Sequence, residues 1–416
     1  MAVKNTCCDL KTLVTSRMDR IEGDFNMNKQ VYRFWVLVTI VAISGFSQGM
    51  LLPLIAIIFE NSGVSSSLNG LHATGLYIGV LLASPFMEQP LRRFGYKPLI
   101  VIGGLLVIVS LASFPLWHSF WFWFVLRFFI GVGDHMLHFS TQTWITSFSP
   151  EKKRGRNIAL YGLFFGLGFA AGPLMTRLID IYLYLPFIIS SIISLLVWLT
   201  VLFIKNEFPE KDMETTSFFG TMQRFAKVWK YAWVAFLPPF GYGFLEASLN
   251  GNFPVYALRN GISIEAVSIL LPAFAVGSIV FQLPLGLLSD KLGRRNVLLF
   301  VTLSGTVSFF AASLLEHSLV GLMICFIIAG MLVGSTFSLG ITYMADLLPK
   351  NLLPAGNLMC GIAFSVGSIS GPFLGGVFIQ FVSVSFFFVI AAMLLGIFVA
   401  LVVYKEKPAA GKVVAA

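Results

Sequence analysis

A run of about 20 apolar residues is long enough to cross a bilayer as one helix, and this chain contains twelve such runs. The predicted helices, α1 to α12, span 34–58, 67–87, 97–117, 119–145, 157–178, 181–204, 231–257, 264–288, 295–315, 318–344, 356–380 and 384–404. In hydrocarbon no water satisfies backbone N–H and C=O groups, so segments of this length must bond within themselves as helices. Only 11% of the 416 residues are charged and 57% are hydrophobic, against about 25% charged in an ordinary soluble domain. The expected fold class is an all-α membrane protein. Residues 1–30 are polar and the first apolar run is of full spanning length, so no cleavable signal peptide is predicted.

The chain also repeats itself. Gly162-Leu-Phe-Phe-Gly166-Leu-Gly168-Phe-Ala-Ala-Gly172-Pro173 returns 199 residues later as Gly361-Ile-Ala-Phe-Ser-Val-Gly367-Ser-Ile-Ser-Gly371-Pro372. Three glycines and the proline keep their spacing, and the same offset relates Pro150 to Pro349 and Gly131 to Gly330. Self-similarity at half the chain length predicts two homologous six-helix bundles, and the space between repeats is where transporters hold their substrate. The expected organisation is an arm at 1–30, a first bundle at 31–204, a linker at 205–230, a second bundle at 231–404 and a tail at 405–416. The linker is the only long polar interruption and ends in a basic, partly amphipathic stretch, Met222–Lys230. A short interfacial helix is expected in the arm.

The net charge of +9 invites a nucleic-acid reading, which its distribution refutes. Of the 28 Lys and Arg residues, all except Arg127, Arg177 and Arg259 fall in the arm, the loops after even-numbered helices, the linker or the tail. By the positive-inside rule these segments are cytoplasmic, with both termini. The basicity is topogenic. A multi-pass protein of the plasma membrane is expected, with the lipid bilayer as its surroundings and no nucleic-acid partner.

Cys7, Cys8, Cys325 and Cys360 show no metal spacing and predict no disulfide framework. Cys7-Cys8 reads either as two free thiols or as an acylation site. No glycine-rich loop ends in Gly-Lys-Ser/Thr, and no cytosolic domain is predicted to hold a nucleotide. ATP is therefore not expected as the energy source, and no cofactor is expected. Short outer connections at 115–119 and 382–384 leave no room for a large extracellular partner, and a monomer is expected.

Gly286-Leu-Leu-Ser-Asp290-Lys-Leu-Gly293-Arg294-Arg295 follows α8. Gly293 permits a sharp turn, the arginines anchor the cytoplasmic side, and Asp290 can accept charge-assisted hydrogen bonds. This segment resembles the loop signature of the major facilitator superfamily, which implies a cytoplasmic latch between helices of the two halves. The first-half counterpart, Glu88-Gln-Pro-Leu-Arg92-Arg93-Phe-Gly95-Tyr-Lys97, keeps Gly95 but holds Arg92 at the aspartate position. Glu88, one turn away, is the candidate substitute. Arg127-Phe-Phe-Ile-Gly131-Val-Gly133 resembles the family's helix-4 pattern, which implies a role in coupling proton movement to transport. An arginine inside a span costs about 2.5–3.5 kcal/mol even on translocon scales and so meets a cavity or a partner, unless it snorkels outward. Gly168-x-x-x-Gly172-Pro173 resembles the antiporter pattern, although Thr176 and Arg177 occupy its two final small positions, where the second copy keeps Gly375-Gly376. In both copies (Gly168, Gly172 and Pro173; Gly367, Gly371 and Pro372), glycines four apart let helices approach closely. The proline is expected to kink the helix by removing one backbone hydrogen bond. Plain close packing without antiport meaning is the alternative.

Arg127, Asp134 and His138 fall on one face of α4, Asp134 about 10 Å along the axis from Arg127. His135 lies beside them. α7 carries Glu246, Asn250 and Asn252, α1 carries Gln48 and α2 carries His72. In the family α1, α4, α7 and α10 line the cavity, so the resemblance places Gln48, the α4 stripe and Glu246 around it. Glu246 and Asp134 are the candidate proton carriers, and Arg127 is expected to hold one of them ionised. A permanent structural pair of Asp134 and His138 is the alternative.

The reading is a twelve-helix secondary transporter of the major facilitator type, with no enzymatic activity expected. Its expected work is proton-coupled export of a small organic or amphipathic solute, as in the drug/proton antiporter branch. A proton-coupled importer of a sugar, carboxylate or other nutrient is the alternative, and a lipid flippase on the same fold is third. His135 and His138 do not make a paired metal site, and no pore-loop filter suggests a channel.

Overall fold

A computed structural model of the chain describes residues 2–149, 151–209, 218–349, 352–382 and 384–404. The side chains of Cys7, Cys8 and Glu88, together with Pro150 and the tail 405–416, lie outside the described residues. All twelve predicted helices are present: α1 (Ala2–Asn61), α2 (Ser66–Ala83), α3 (Tyr96–Ser113), α4 (Phe120–Phe148), α5 (Glu151–Ala171), α6 (Leu185–Val201), α7 (Leu237–Gly251, continued by Phe253–Arg259), α8 (Ile264–Leu292), α9 (Arg294–Leu314), α10 (Leu319–Val333, continued by Thr336–Leu347), α11 (Leu353–Phe381) and α12 (Phe387–Val403). The arm is not a separate helix, since its backbone continues into α1. A connecting helix, Phe218–Ala232, precedes α7, with Val228 and Ala232 buried and Trp229 exposed.

Eight of these helices are long and apolar enough to cross a membrane alone, and α6 and α12 are apolar but shorter. The remaining two carry the polar cargo. Asn69 and His72 lie in α2, while α7 holds Glu246 and Asn250 and breaks at Asn252.

The two halves match in backbone detail. All four positive-φ residues described are glycines, and they pair across the repeat: Gly63 with Gly261 before α2 and α8, Gly95 with Gly293 before α3 and α9. Ser65 and Ser263 cap α2 and α8 alike, each hydroxyl accepting a backbone N–H three residues on. The repeated glycines have a packing cause. A Cβ on Gly168 would sit 1.9 Å from the Ala42 carbonyl oxygen, and one on Gly367 would sit 2.0 Å from that of Phe240. α1 therefore packs on α5 as α7 packs on α11. Gly131 and Gly330 do the same for α4 on α2 and α10 on α8. Lipid is as apolar as leucine, so close backbone approach through glycine supplies the packing that hydrophobicity cannot.

The copies differ at their prolines. After Gly172-Pro173 the first helix tightens into a 3-10 segment, Gly172–Asp180, whereas α11 stays α-helical through Pro372 to Phe381.

The halves meet at the face opposite the basic loops. There Arg259 donates to both carboxylate oxygens of Glu60 (2.6 and 3.2 Å), Arg177 Nε donates to Ser268 Oγ (2.7 Å), and the Ser67 amide donates to Gln380 Oε1 (3.2 Å). Gly70 abuts Pro372, and Ala247 of α7 joins the first half's core cluster around Met50, Phe59 and Trp123. A Cβ on Gly162, Gly286 or Gly361 would meet nothing within 4 Å. Among the described residues, the contacts of Arg259, Arg177 and Ser67 close the molecule at the short-loop face.

Candidate functional site

Arg127 is fully buried, between α4, α1 and α2. Its Nη1 donates to His72 Nδ1 (3.0 Å) and its Nη2 to the Leu51 carbonyl (3.0 Å). Because Nδ1 accepts, His72 is the neutral tautomer whose Nε2–H donates to the Phe120 carbonyl (3.1 Å). Arg127 Nε has no hydrogen-bond partner among the described residues. The arginine does not snorkel, and it touches neither Asp134 nor Glu246: its polar partners come from α1 and α2.

Asp134 and His138 do lie on the same side of α4, facing α1. The Ser44 hydroxyl donates to Asp134 Oδ1 (2.6 Å) and sits 3.0 Å from His138 Nε2. His138 Nδ1 takes the Tyr161 hydroxyl of α5 at 2.6 Å, while Phe165 packs edge-on against its ring. Gln48 Nε2 reaches Ser44 Oγ at 3.5 Å. Asp134 is 1% exposed. The expectation that the whole α4 stripe borders the central cavity is thus corrected. Arg127 and Asp134 are sealed inside the first bundle, because α1 and α2 supply polar partners at both levels.

Glu246 stands between the halves. It is half-buried on α7, and its electrostatic neighbours are Tyr77 of α2 and Tyr242 one turn earlier on α7. Its carboxyl has no hydrogen-bond or ion-pair partner among the described residues, and Asn250 bonds to the Glu246 backbone carbonyl instead (2.8 Å). Tyr242 leads an aromatic group with Phe337 and Phe364, centroids 5.4–6.3 Å apart. Arg127 is the other charged neighbour of Tyr77. This phenol therefore lies between a sealed cation and an accessible carboxylate.

At the basic face Arg294 donates to Asp346 Oδ1 (2.5 Å), the Thr342 carbonyl (3.0 Å) and Asp290 Oδ1 (3.3 Å). Arg295 donates to the Leu401 and Tyr404 carbonyls (both 2.8 Å), and Lys97 does the same for Leu202 (2.7 Å). A cation at the start of α3 and of α9 thus caps the end of α6 and of α12. The partners of Arg294 and Arg295 named here all belong to the second half. In the first half Glu207 pairs with Arg33 and accepts from Trp144 Nε1 (2.8 Å).

Two matched bundles, a charged loop after each second helix and a carboxylate between the halves form one pattern. A model of the Major Facilitator Superfamily matches residues 37–259 and again 235–416. The chain belongs to the major facilitator superfamily. It is 60% identical to YfkF of Bacillus subtilis (strain 168), an uncharacterized MFS-type transporter, over 90% of this chain and 96% of that one. It is 22% identical to an uncharacterized MFS-type transporter of Enterobacter sp. (strain 638), covering 81% and 86%. The fold matches a mutant of the nucleoside transporter NupG with a TM-score of 0.76 at 12% identity, covering 89% and 99%. It also matches an inward-facing, unoccupied bacterial homolog of the human lysosomal transporter Spinster at 0.64 and 16%, covering 90% and 94%.

Sequence reasoning missed Ser44, Tyr77, Tyr161 and Glu60. Each is ordinary in its own helix. Only a partner on another helix makes it matter, and no spacing rule within one helix points there.

Proposed function

We propose that this facilitator-family protein exports a small organic or amphipathic solute by alternating access, driven by protons entering through the same chain. Glu246 carries the reading: an unpaired, half-buried carboxylate between the halves, next to Tyr77, Tyr242 and the Phe337–Phe364 pair. Such a group binds a proton in one state and releases it in the other as water access changes. Phenols and phenyl rings give a flat, amphipathic solute an apolar bed with a polar rim. The basic face is the cytoplasmic side by the positive-inside rule, and the contacts that close the short-loop face support an inward-facing state, ready to collect cargo from the cell. In this assignment Asp134 is the second proton carrier, Gln48 and Asn250 border the cavity, and Gly286, Asp290, Gly293, Arg294, Arg295 and Gly95 serve the cytoplasmic gate. The Gly168–Pro173 and Gly367–Pro372 segments are pivots on which each half rocks as a unit. The protein acts as a monomer in the plasma membrane.

The test is transport of fluorescent amphipathic dyes into inside-out vesicles under an acid-inside gradient. Accumulation that Glu246→Gln abolishes is the expected result. Equal dye uptake by wild type and Glu246→Gln, or uptake only into right-side-out vesicles, overturns the proposal.

A further inference from the structure

The polar group around Asp134 is larger than a structural pair requires. Four residues from three helices form one unbroken chain: Tyr161 of α5, His138 of α4, Ser44 of α1 and Asp134 of α4, with links of 2.6, 3.0 and 2.6 Å. The donors all run one way. Ser44 spends its only proton on Asp134 Oδ1, so His138 Nε2 must be the donor to Ser44 Oγ. A neutral ring then leaves Nδ1 as the acceptor for the Tyr161 hydroxyl.

The far end of the chain is open to one more group. Asp134 Oδ2 is buried with no partner among the described residues. Asp134 also lines a cavity of about 20 Å³, together with Ser44, Ser47 and Ser194. Ser47 and Ser194 sit 3.5 Å apart, too far for a good hydroxyl–hydroxyl bond. A water needs roughly 10–15 Å³ by this measure and two to four polar partners. The cavity supplies the volume, and Asp134, Ser47 and Ser194 on its wall supply the polar groups.

We infer that Tyr161, His138 and Ser44 form a proton wire through which Asp134 exchanges its proton with the basic side of the first bundle, releasing it there during export, with one bound water on Asp134 Oδ2. This rests on the proton-coupled reading above. The direction follows from the chain path. α4 runs from the short-loop face to the basic face, so His138 lies one turn nearer the basic side than Asp134, and Tyr161 lies on the basic half of α5. Each transfer balances. Protonated Asp134 gives its proton to Ser44 Oγ, Ser44 passes its hydroxyl proton to His138 Nε2, His138 passes its Nδ1 proton to the Tyr161 oxygen, and Tyr161 passes its own to water, which leaves as hydronium. One proton leaves Asp134 and one is gained by water, and the donors are left pointing as they stand in the structure. Return of His138 to its first tautomer and rotation of the two hydroxyls reset the wire. The other titratable or polar groups facing it are Gln48 of α1, and His135 and Thr141 of α4. α3 and α6 contribute only Gly104, Val107, Ile108, Ser194 and Trp198 at the cavity wall.

The experiment is a pH-jump infrared measurement on the purified full-length protein without substrate, following the C=O stretch of a protonated buried carboxyl. Asp134→Asn identifies the band by removing it. Tyr161→Phe and Ser44→Ala, each deleting one hydroxyl, are expected to slow its appearance at least roughly tenfold. Ser194→Val, which fills the cavity with methyl groups, is expected to shift the band position. If Tyr161→Phe folds with an unchanged melting temperature and protonates at the wild-type rate, the wire is wrong. If no band disappears in Asp134→Asn, Asp134 does not exchange a proton and the wire is equally wrong. An unmoved band in Ser194→Val removes the water. Failure of the export reading appears elsewhere, as gradient-driven dye flux that survives Glu246→Gln, so the two outcomes are separable.

Discussion

Arg259 grips Glu60 through two hydrogen bonds across the short-loop face, tying the end of α7 in one half to the end of α1 in the other. Together with Arg177–Ser268 and Ser67–Gln380 it is what closes this side of the molecule. The bidentate geometry is favourable. However, the Arg259 side chain is 38% exposed, so water screens it and the pair is worth about 0.5–1 kcal/mol.

That magnitude sets the first prediction. Glu60→Gln should raise the fraction of molecules open at the short-loop face roughly two- to fivefold, since 1.4 kcal/mol is about tenfold. Spin labels on the exposed Leu116 and Leu315, one in each half, report the change as a growing long-distance component. High salt should mimic part of the effect in wild type and none in the variant. An unchanged distance distribution in Glu60→Gln would show that glycine and proline packing alone holds this face shut.

Gly168 and Gly162 make a matched pair for testing the repeated motif. The first has the Ala42 carbonyl in the space of a side chain, and the second has open space. Gly168→Ala forces α1 and α5 apart and should cost about 1–3 kcal/mol. Gly162→Ala should be neutral or slightly stabilising, because alanine is the better helix former. Thermal unfolding in detergent reads both. Equal melting temperatures would refute close packing as the reason for Gly168.

The part of this arrangement that could be read from sequence is the part set within one helix or by the repeat. Apolar length marked the twelve spans, and the glycine spacing of 168, 172, 367 and 371 marked close packing before any partner was known. Spacing also put Arg127, Asp134 and His138 on one side of α4. It did not say what that side meets. Seven residues bring two side chains to one face but leave them about 10 Å apart, so Arg127 pairs with His72 and Asp134 with Ser44, each with what its neighbouring helix offers at that depth. Pro173 announced the change of helix at Gly172, whereas nothing in one helix's own spacing announced the breaks at Asn252 and Gly334-Ser335.

His72 is the acceptor that Arg127 needs at Nη1. Replacing it by alanine leaves a second guanidinium nitrogen unpaired beside the already orphaned Nε. A stranded donor on a buried charge costs about 1–3 kcal/mol or more. His72→Ala should therefore lower the melting temperature clearly, and His72→Ala with Arg127→Met should recover part of the loss, since the second change removes the stranded charge. If the double variant is less stable than either single one by their full sum, the two residues are not coupled.

Tyr77 separates structure from transport most cleanly. It brings a phenol from α2 to the electrostatic neighbourhood of both Arg127 and Glu246, and it is 7% exposed. Tyr77→Phe keeps the ring and its packing against the first-half core, so stability should change by no more than about 1 kcal/mol. The hydroxyl lies in the electrostatic neighbourhood of the Glu246 carboxylate. Its loss should reduce gradient-driven dye flux by roughly three- to tenfold, the size of one ordinary polar interaction. In the Glu246→Gln background the same change should have little further effect, because there is no carboxylate left to address. Additive losses in the double variant would mean that Tyr77 serves the cavity by shape alone, and that the contact between the halves at Glu246 is not the point where proton and solute meet.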